Sequence, residues 1–147
     1  YEGAESSFKL FVMKELGLHA SKFSLVHFKV SDEPTHENTF GAYAVVKVDV
    51  DGENRMAAAE GNGPVNALDK ALREALGVFF PKLKEVTLTD YKVRVLDTGA
   101  ATAAKARVII ESSDGESYWR TMGVSTDVIE ASLFALIDSI DYLLLDA

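Results

Sequence analysis

An Asp-Gly pair stands at 51–52 and a second at 114–115, about 63 residues apart, each between two runs of strand-forming residues. Asp-Gly supplies the positive φ angles of a tight hairpin, so each pair predicts two antiparallel strands joined by a short turn. Around the first pair, strands are expected over 22–30 (Phe23, Leu25, His27, then Phe28 to Val30), 40–50 and 54–60, with a polar loop at 31–38. Val65, Leu68, Leu72, Leu76 and Phe79 then recur at helical spacing until Pro81 closes the element. The order starts again with strands over 86–96, 102–112 and 117–124, and a helix carrying Ile129, Leu133, Leu136, Ile140 and Leu144. Asp127, with Glu130 three residues on, is positioned to cap that helix. Shifting Ala67, Ala71, Leu72 and Leu76 by a similar offset lands on Ala131, Ala135, Leu136 and Ile140. These patterns predict an α+β fold made by tandem duplication of a β-β-β-α unit, pseudo-two-fold, with repeat one at 22–80 and repeat two at 85–146. One helix covers too little of a three-stranded sheet, so the sheets are expected to pack with helices in a dimer.

Ahead of the repeats, Phe8, Phe11, Val12 and Leu16 mark a short helix over 6–16 that Gly17 can end. Residues 1–17 are therefore expected to be a lead-in helix and 18–147 the domain proper. At 147 residues and 48% hydrophobic content the chain can bury a sizeable core. Net charge is −8 and the 15 Lys and Arg residues are scattered, which argues against nucleic acid and against an anionic membrane. No apolar run reaches the length of a membrane span and no export signal opens the chain. The absence of cysteine fits a cytoplasmic setting. A start at Tyr1 without Met suggests a piece of something longer.

Little in the chain announces catalysis. His19, His27 and His36 have no His, Cys or carboxylate partner at metal-ligand spacing, and neither a G-x-S-x-G turn nor a phosphate loop is present. Asp32 with Glu33, and Asp49 with Asp51, read as solvated charges. The turn Gly61-Asn62-Gly63 differs. Its glycines permit close backbone approach, Pro64 suits the first helical position, and the amides inside the helix favour an anion such as a carboxylate. Gly123-Val124-Ser125 stands at what the repeat makes the equivalent place, so two helix N-termini are expected to favour one anion. A turn that merely joins strand to helix is the competing reading.

The segments GNGPVNAL (61–68), LTDYKVRVL (88–96), TAAKARVIIESSDG (102–115), WRTMGVS (119–125) and VIEASLFALIDSIDY (128–142) resemble the C-terminal regulatory domain of the 2-isopropylmalate synthase and (R)-citramalate synthase family. The resemblance covers nearly the whole chain, including YEGAESSF (1–8), which is similar to the segment leading out of the catalytic half. Its details lie nearer the citramalate synthases. The resemblance implies a dimerising β-β-β-α duplication that binds the pathway's end-product amino acid: isoleucine for citramalate synthases, leucine for isopropylmalate synthases. It also implies that this chain needs no cofactor and is catalytically inert. The condensation of acetyl-CoA with a 2-oxo acid, using a divalent metal, would belong to a catalytic domain of the same parent chain, which the effector would inhibit from a distance.

Carried over by motif, the implied effector site comprises Gly61, Asn62, Gly63, Val65, Asn66, Leu88, Asp90, Tyr91, Val95, Ala103, Val124 and Thr126. Turn and helix amides would hold the carboxylate, with backbone carbonyls or Asp90 for the ammonium. Leu88, Tyr91, Val95, Ala103 and Val124 would surround the aliphatic side chain. Leu88 and Val95 differ in strand parity, so a bulge, a helical turn or a strand starting near Tyr91 is required to bring them to one face. Where Thr126 stands, the family often has Pro. A purely structural dimerisation module with a degenerate site is the alternative.

Overall fold

The computed structural model of the chain describes residues 3–31, 41–96 and 104–146. Its elements run α1 (Glu5–Glu15), β1 (Ser24–Ser31), β2 (Ala42–Val50), β3 (Glu53–Gly61), α2 (Pro64–Gly77), a 3₁₀ turn (Pro81–Glu85), β4 (Thr87–Leu96), β5 (Lys105–Ser113), β6 (Tyr118–Ser125) and α3 (Val128–Leu143). The β-β-β-α order occurs twice, and each triplet is an antiparallel sheet with its second strand in the middle. Two compact units hold them: Ser21–Glu85 contains the first repeat, and Val86–Ala147 together with Tyr1–Ala20 contains the second.

In the first unit the central strand decides which side is core. Side chains alternate along β2, burying Ala42, Ala44, Val46, Val48 and Val50 while Tyr43 stays half exposed. Over that face α2 lays Leu68, Leu72 and Leu76, all fully buried. Each such burial contributes about 1.5–3 kcal/mol, which a helix of 14 residues needs because its own propensity leaves it marginal in water. Asp51 and Gly52 have φ of 52° and 86° and join Val50 to Glu53 in the expected two-residue turn. The sequence alternation of β1 breaks between His27 and Phe28, and the structure shows why. A register shift between Leu25 and His27 makes Val26 an extra residue, so Leu25, Phe28 and Val30 all stand opposite buried positions of β2.

The second unit repeats the plan. Ala106, Val108, Ile110 and Ser112 form the buried face of β5, and α3 covers it with Leu133, Leu136 and Ile140. Several polar groups inside this contact find partners there. The Thr121 hydroxyl donates to the Ala135 carbonyl (2.7 Å), Trp119 Nε1 donates to the Ser139 carbonyl (3.1 Å), and the Ser112 and Ser139 hydroxyls meet at 2.6 Å. Gly123 has no room for a side chain, since a Cβ would lie 2.0 Å from the Ala131 carbonyl oxygen. The repeats align by burial with an offset of 64, Ala44–Ala59 corresponding to Val108–Gly123. The Asp-Gly spacing of about 63 is one short because the two turns differ. Asp51-Gly52 are both central turn residues, whereas Asp114 precedes its turn and accepts from the Glu116 and Ser117 amides through Oδ1.

α1 belongs to the second unit, and its apolar period does not mark its buried face. Its buried residues are Ser6, Ser7 and Leu10, whereas Phe8 and Phe11 are half exposed and Leu16 is exposed. The inward face is set by β6 rather than by an apolar stripe. Ser7 Oγ accepts from the Met122 amide (2.8 Å) and lies 2.8 Å from Asp138 Oδ2 of α3, while Lys14 Nζ stands 3.7 Å from Asp141. An edge strand needs such polar partners for its outward backbone groups. Gly17, with φ of 71°, ends the helix as its sequence position suggests, and the Leu18 amide bonds back to Met13 (2.8 Å).

Burial pushes the Asp138 carboxyl above its ordinary value of 3.8, opposed by the Ser7 hydrogen bond and by Lys14 and reinforced by Asp141. A carboxyl raised on folding binds protons more readily folded than unfolded, so its contribution favours the fold at low pH and is lost as pH rises through the raised value. Asp138→Asn keeps an acceptor for Ser7 and removes the charge. It is therefore expected to raise the thermal midpoint at pH 7, with the advantage over the parent shrinking as pH falls toward 4, as paired melts across that range would measure.

Candidate effector site

The candidate residues fall into two sets, one in each unit. Gly61, Asn62, Gly63, Val65 and Asn66 surround the start of α2. Leu88, Asp90, Tyr91 and Val95 lie on β4, and Val124 and Thr126 at the end of β6. Ala103 falls outside the described residues.

At α2 the two glycines do different things. Gly63 is the N-cap with φ −166° and ψ 176°, an extended conformation open to any residue, and a Cβ there would meet nothing within 4 Å. Gly61 carries the steric demand, for a Cβ on it would lie 2.5 Å from Asn66 Oδ1 and 2.6 Å from the Ala67 nitrogen. The end of β3 thus runs directly against the first helical turn. Pro64 occupies the first helical position and brings no N–H; no side chain caps the end. Asn66 Oδ1 instead reaches back to accept from the Asn62 amide (3.3 Å). The amides of Val65 and Asn66 are the leading donors of the helix.

The start of α3 is built otherwise. Asp127 Oδ1 accepts from the Ile129 amide (2.7 Å) and the Glu130 amide (3.3 Å), as Asp127 and Glu130 predict in the sequence. Ser125 Oγ donates to Glu130 (2.7 Å) and accepts from the Asp127 amide (3.1 Å). By the burial register Ser125-Thr126-Asp127 correspond to Gly61-Asn62-Gly63, so the expected equivalence of Gly123-Val124-Ser125 is corrected by two residues. Gly123 serves close packing inside β6. The leading donors of α3 are taken by its own carboxylate, which would also repel a second anion. Only the start of α2 keeps the character first inferred for both.

On β4 the parity problem is resolved by a bulge. A register shift between Leu88 and Asp90 makes Thr89 the extra residue, so Leu88, Tyr91, Val93 and Val95 stand opposite Ser112, Ile110, Val108 and Ala106, the buried positions of β5. Since α3 lies over β5 and β6, this strip of β4 stays open: Tyr91 is 36% exposed and Val95 68%. Ser132, fully buried on α3, gives its proton to the Val128 carbonyl (2.7 Å), which leaves the Tyr91 hydroxyl to donate to Ser132 Oγ (3.3 Å). This anchor was missed in the sequence, where a helical serine carries no mark of a partner 41 residues away. Asp90 and Val124 lie elsewhere. Asp90 pairs with Glu111 and Val124 with Arg107, on the opposite face of the sheet from Tyr91 and Val95. The Asp90 carboxylate accepts from the Tyr91 amide (2.8 Å) and has Lys92 3.9 Å away. Within this unit, then, neither joins the Tyr91 strip. Among the described residues no three of His, Cys, Asp or Glu come together to hold a metal ion.

The sequence profile of the LeuA allosteric (dimerisation) domain matches residues 2–144. The chain belongs to this family. Among relatives, the (R)-citramalate synthase of Geobacter sulfurreducens is 53% identical over 143 residues, 97% of this chain and 27% of that protein. That of Synechocystis sp. is 46% identical over 149 residues, again 97% of this chain and 27% of the relative. The 2-isopropylmalate synthase of Aquifex aeolicus is more distant, 36% identical over 117 residues, 80% of this chain and 20% of its own length. This LeuA-type chain thus spans about a quarter of the length of the curated relatives it matches. No helix among the described residues is long and apolar enough to cross a membrane.

Gly61→Ala should force β3 and α2 apart and lower stability by about 1–3 kcal/mol, as for other overpacked contacts. Gly63→Ala, in extended backbone with open space, should stay within roughly 0.5 kcal/mol of the parent. Denaturant unfolding of the two variants side by side measures both, and equal losses would contradict the assignment of the close contact to Gly61.

Proposed function

We propose that the chain is the effector-sensing domain of a citramalate synthase in the cytoplasm, that it binds isoleucine in preference to leucine, and that it works as a homodimer. The condensation of acetyl-CoA with a 2-oxo acid, and the divalent metal for it, belong to a catalytic domain of the same parent chain. This domain contributes no catalytic step; it lowers the parent's activity when the end product binds.

The observation that carries the reading is the difference between the two helix starts. α3 caps itself with Asp127, whereas α2 begins behind Gly61-Asn62-Gly63 with no capping side chain. In a duplicated fold, loss of the cap at one start is what a carboxylate ligand would require, since its oxygens take the place of the capping oxygen. Leu88, Tyr91 and Val95 are assigned to the aliphatic part of the ligand by resemblance; within their own unit they form an open apolar strip, with Ser132 holding the Tyr91 ring. Asn62, Val65 and Asn66 belong to the carboxylate end. Asp90, Ala103, Val124 and Thr126 enter through resemblance, and a backbone carbonyl suits the ammonium better than Asp90, whose carboxylate already serves its own strand. The higher identity to citramalate synthases than to isopropylmalate synthases supports isoleucine over leucine.

Calorimetric titration with isoleucine, leucine and valine tests this directly. Isoleucine should bind most tightly, and Tyr91→Ala should weaken it by roughly 1–3 kcal/mol while narrowing its lead over the other two. A preference for leucine would indicate an isopropylmalate synthase, and silence with all three a structural module. For the dimer, the exposed β4 strip supplies apolar surface at a sheet edge. Sedimentation of the chain at micromolar concentration should give twice the chain mass, and a stable monomer would refute it.

A further inference from the structure

At the far end of α2 from the glycine turn, β3, the helix and the following 3₁₀ turn enclose a groove of about 570 Å³. Its lining includes Arg55, Lys70, Arg73 and Lys84 against a single carboxylate, Glu74, above the buried Leu83. Four of the chain's 15 basic residues therefore converge on one groove in a molecule of net charge −8. Three separate elements supply them, so this is not one solvated helix face.

The second repeat shows what the position would otherwise hold. Arg55 pairs with Val48 on the helix side of its sheet; the corresponding pair is Ser112 with Trp119. Trp119 is 6% exposed, packs beneath α3 and donates its Nε1 proton there. In the first repeat the aromatic plug is absent and an exposed arginine stands at an inward register position, leaving the space open and charged. Two of the other cations are fixed. Arg73 pairs with Asp69 one turn back on α2, a carboxylate buried to 7% exposure, and the stem of Lys84 lies across Gly77, 3.7 Å from where a Cβ would be. With Asp69 engaged by Arg73, Glu74 is the lining carboxylate left to face Arg55, Lys70 and Lys84, and an added anion would relieve the repulsion that remains among them.

We propose that this groove binds a small anion bearing phosphoryl groups, a ligand class that guanidinium forks and lysine ammonium groups suit together. The groove shares no residue with the effector site, so either can fail without the other. The test is titration of the ¹⁵N-labelled full chain with sodium pyrophosphate at constant ionic strength. Saturable shifts are expected at the amides of Arg73, Leu83 and Lys84, with the Gly115 turn unmoved. Arg55→Gln and Lys84→Gln, both on exposed side chains, should each weaken binding about tenfold, the loss of one charge-assisted contact, while the rest of the spectrum stays in place. Shifts that do not saturate, that spread equally to lysines such as Lys92 and Lys105, or that saturate at the parent's pyrophosphate concentration in both variants would overturn the proposal.

Discussion

The structure depends on the parity of its two central strands. Even-numbered residues of β2 and β5 face the helices, and a shift of either strand by one residue would turn its buried valines and isoleucines to water and its lysines and arginines to the core. The neighbouring edge strands do not keep this parity by themselves. Val26 in β1 and Thr89 in β4 are the extra residues that restore it, each placed just after a leucine that opens the inward row. Two bulges at corresponding points show that the duplication preserved an irregularity along with the regular pattern.

Against that shared frame the repeats have diverged where chemistry is possible. One helix start is closed by Asp127 and Ser125, the other left to backbone amides. One inward position holds Trp119, the other Arg55. Tight glycine contacts occur in both repeats but two positions apart, at the strand's last residue in one and deeper in the strand in the other. In each case the element is conserved between the repeats while its terminal or lining residues differ.

Element order, helix stripes, the Asp51-Gly52 turn and the Asp127 cap were legible because each follows from local backbone preference or helical period. The inward face of α1 was not. Phe8 and Phe11 form a periodic apolar row, but the long-range bonds of Ser7 decide the orientation, and no local pattern encodes a partner 115 residues away. The equivalence of Gly61 with Gly123 misled for a related reason: both glycines follow strands and precede helices, while register depends on pairing across a sheet. Leu88 and Val95 stated the parity conflict in the sequence, which required an irregularity without saying that it falls at Thr89. The carboxylate of Asp90 and the side chain of Val124 were placed by motif alone, and motif does not record which face of a sheet a residue occupies.

The attachment of α1 to β6 and α3 bears on the order in which the chain can assemble. Along the chain α1 precedes the first repeat, yet the strand edge and helix that receive it follow that repeat. The first repeat, continuous over Ser21–Glu85, has all its partners by then. Until the final helix is available α1 has only its own marginal propensity, and closing a loop of this length is entropically slow. The second unit is therefore completed when α1 meets partners 115 or more residues further along, and the β6 edge stays open to other strands until it does.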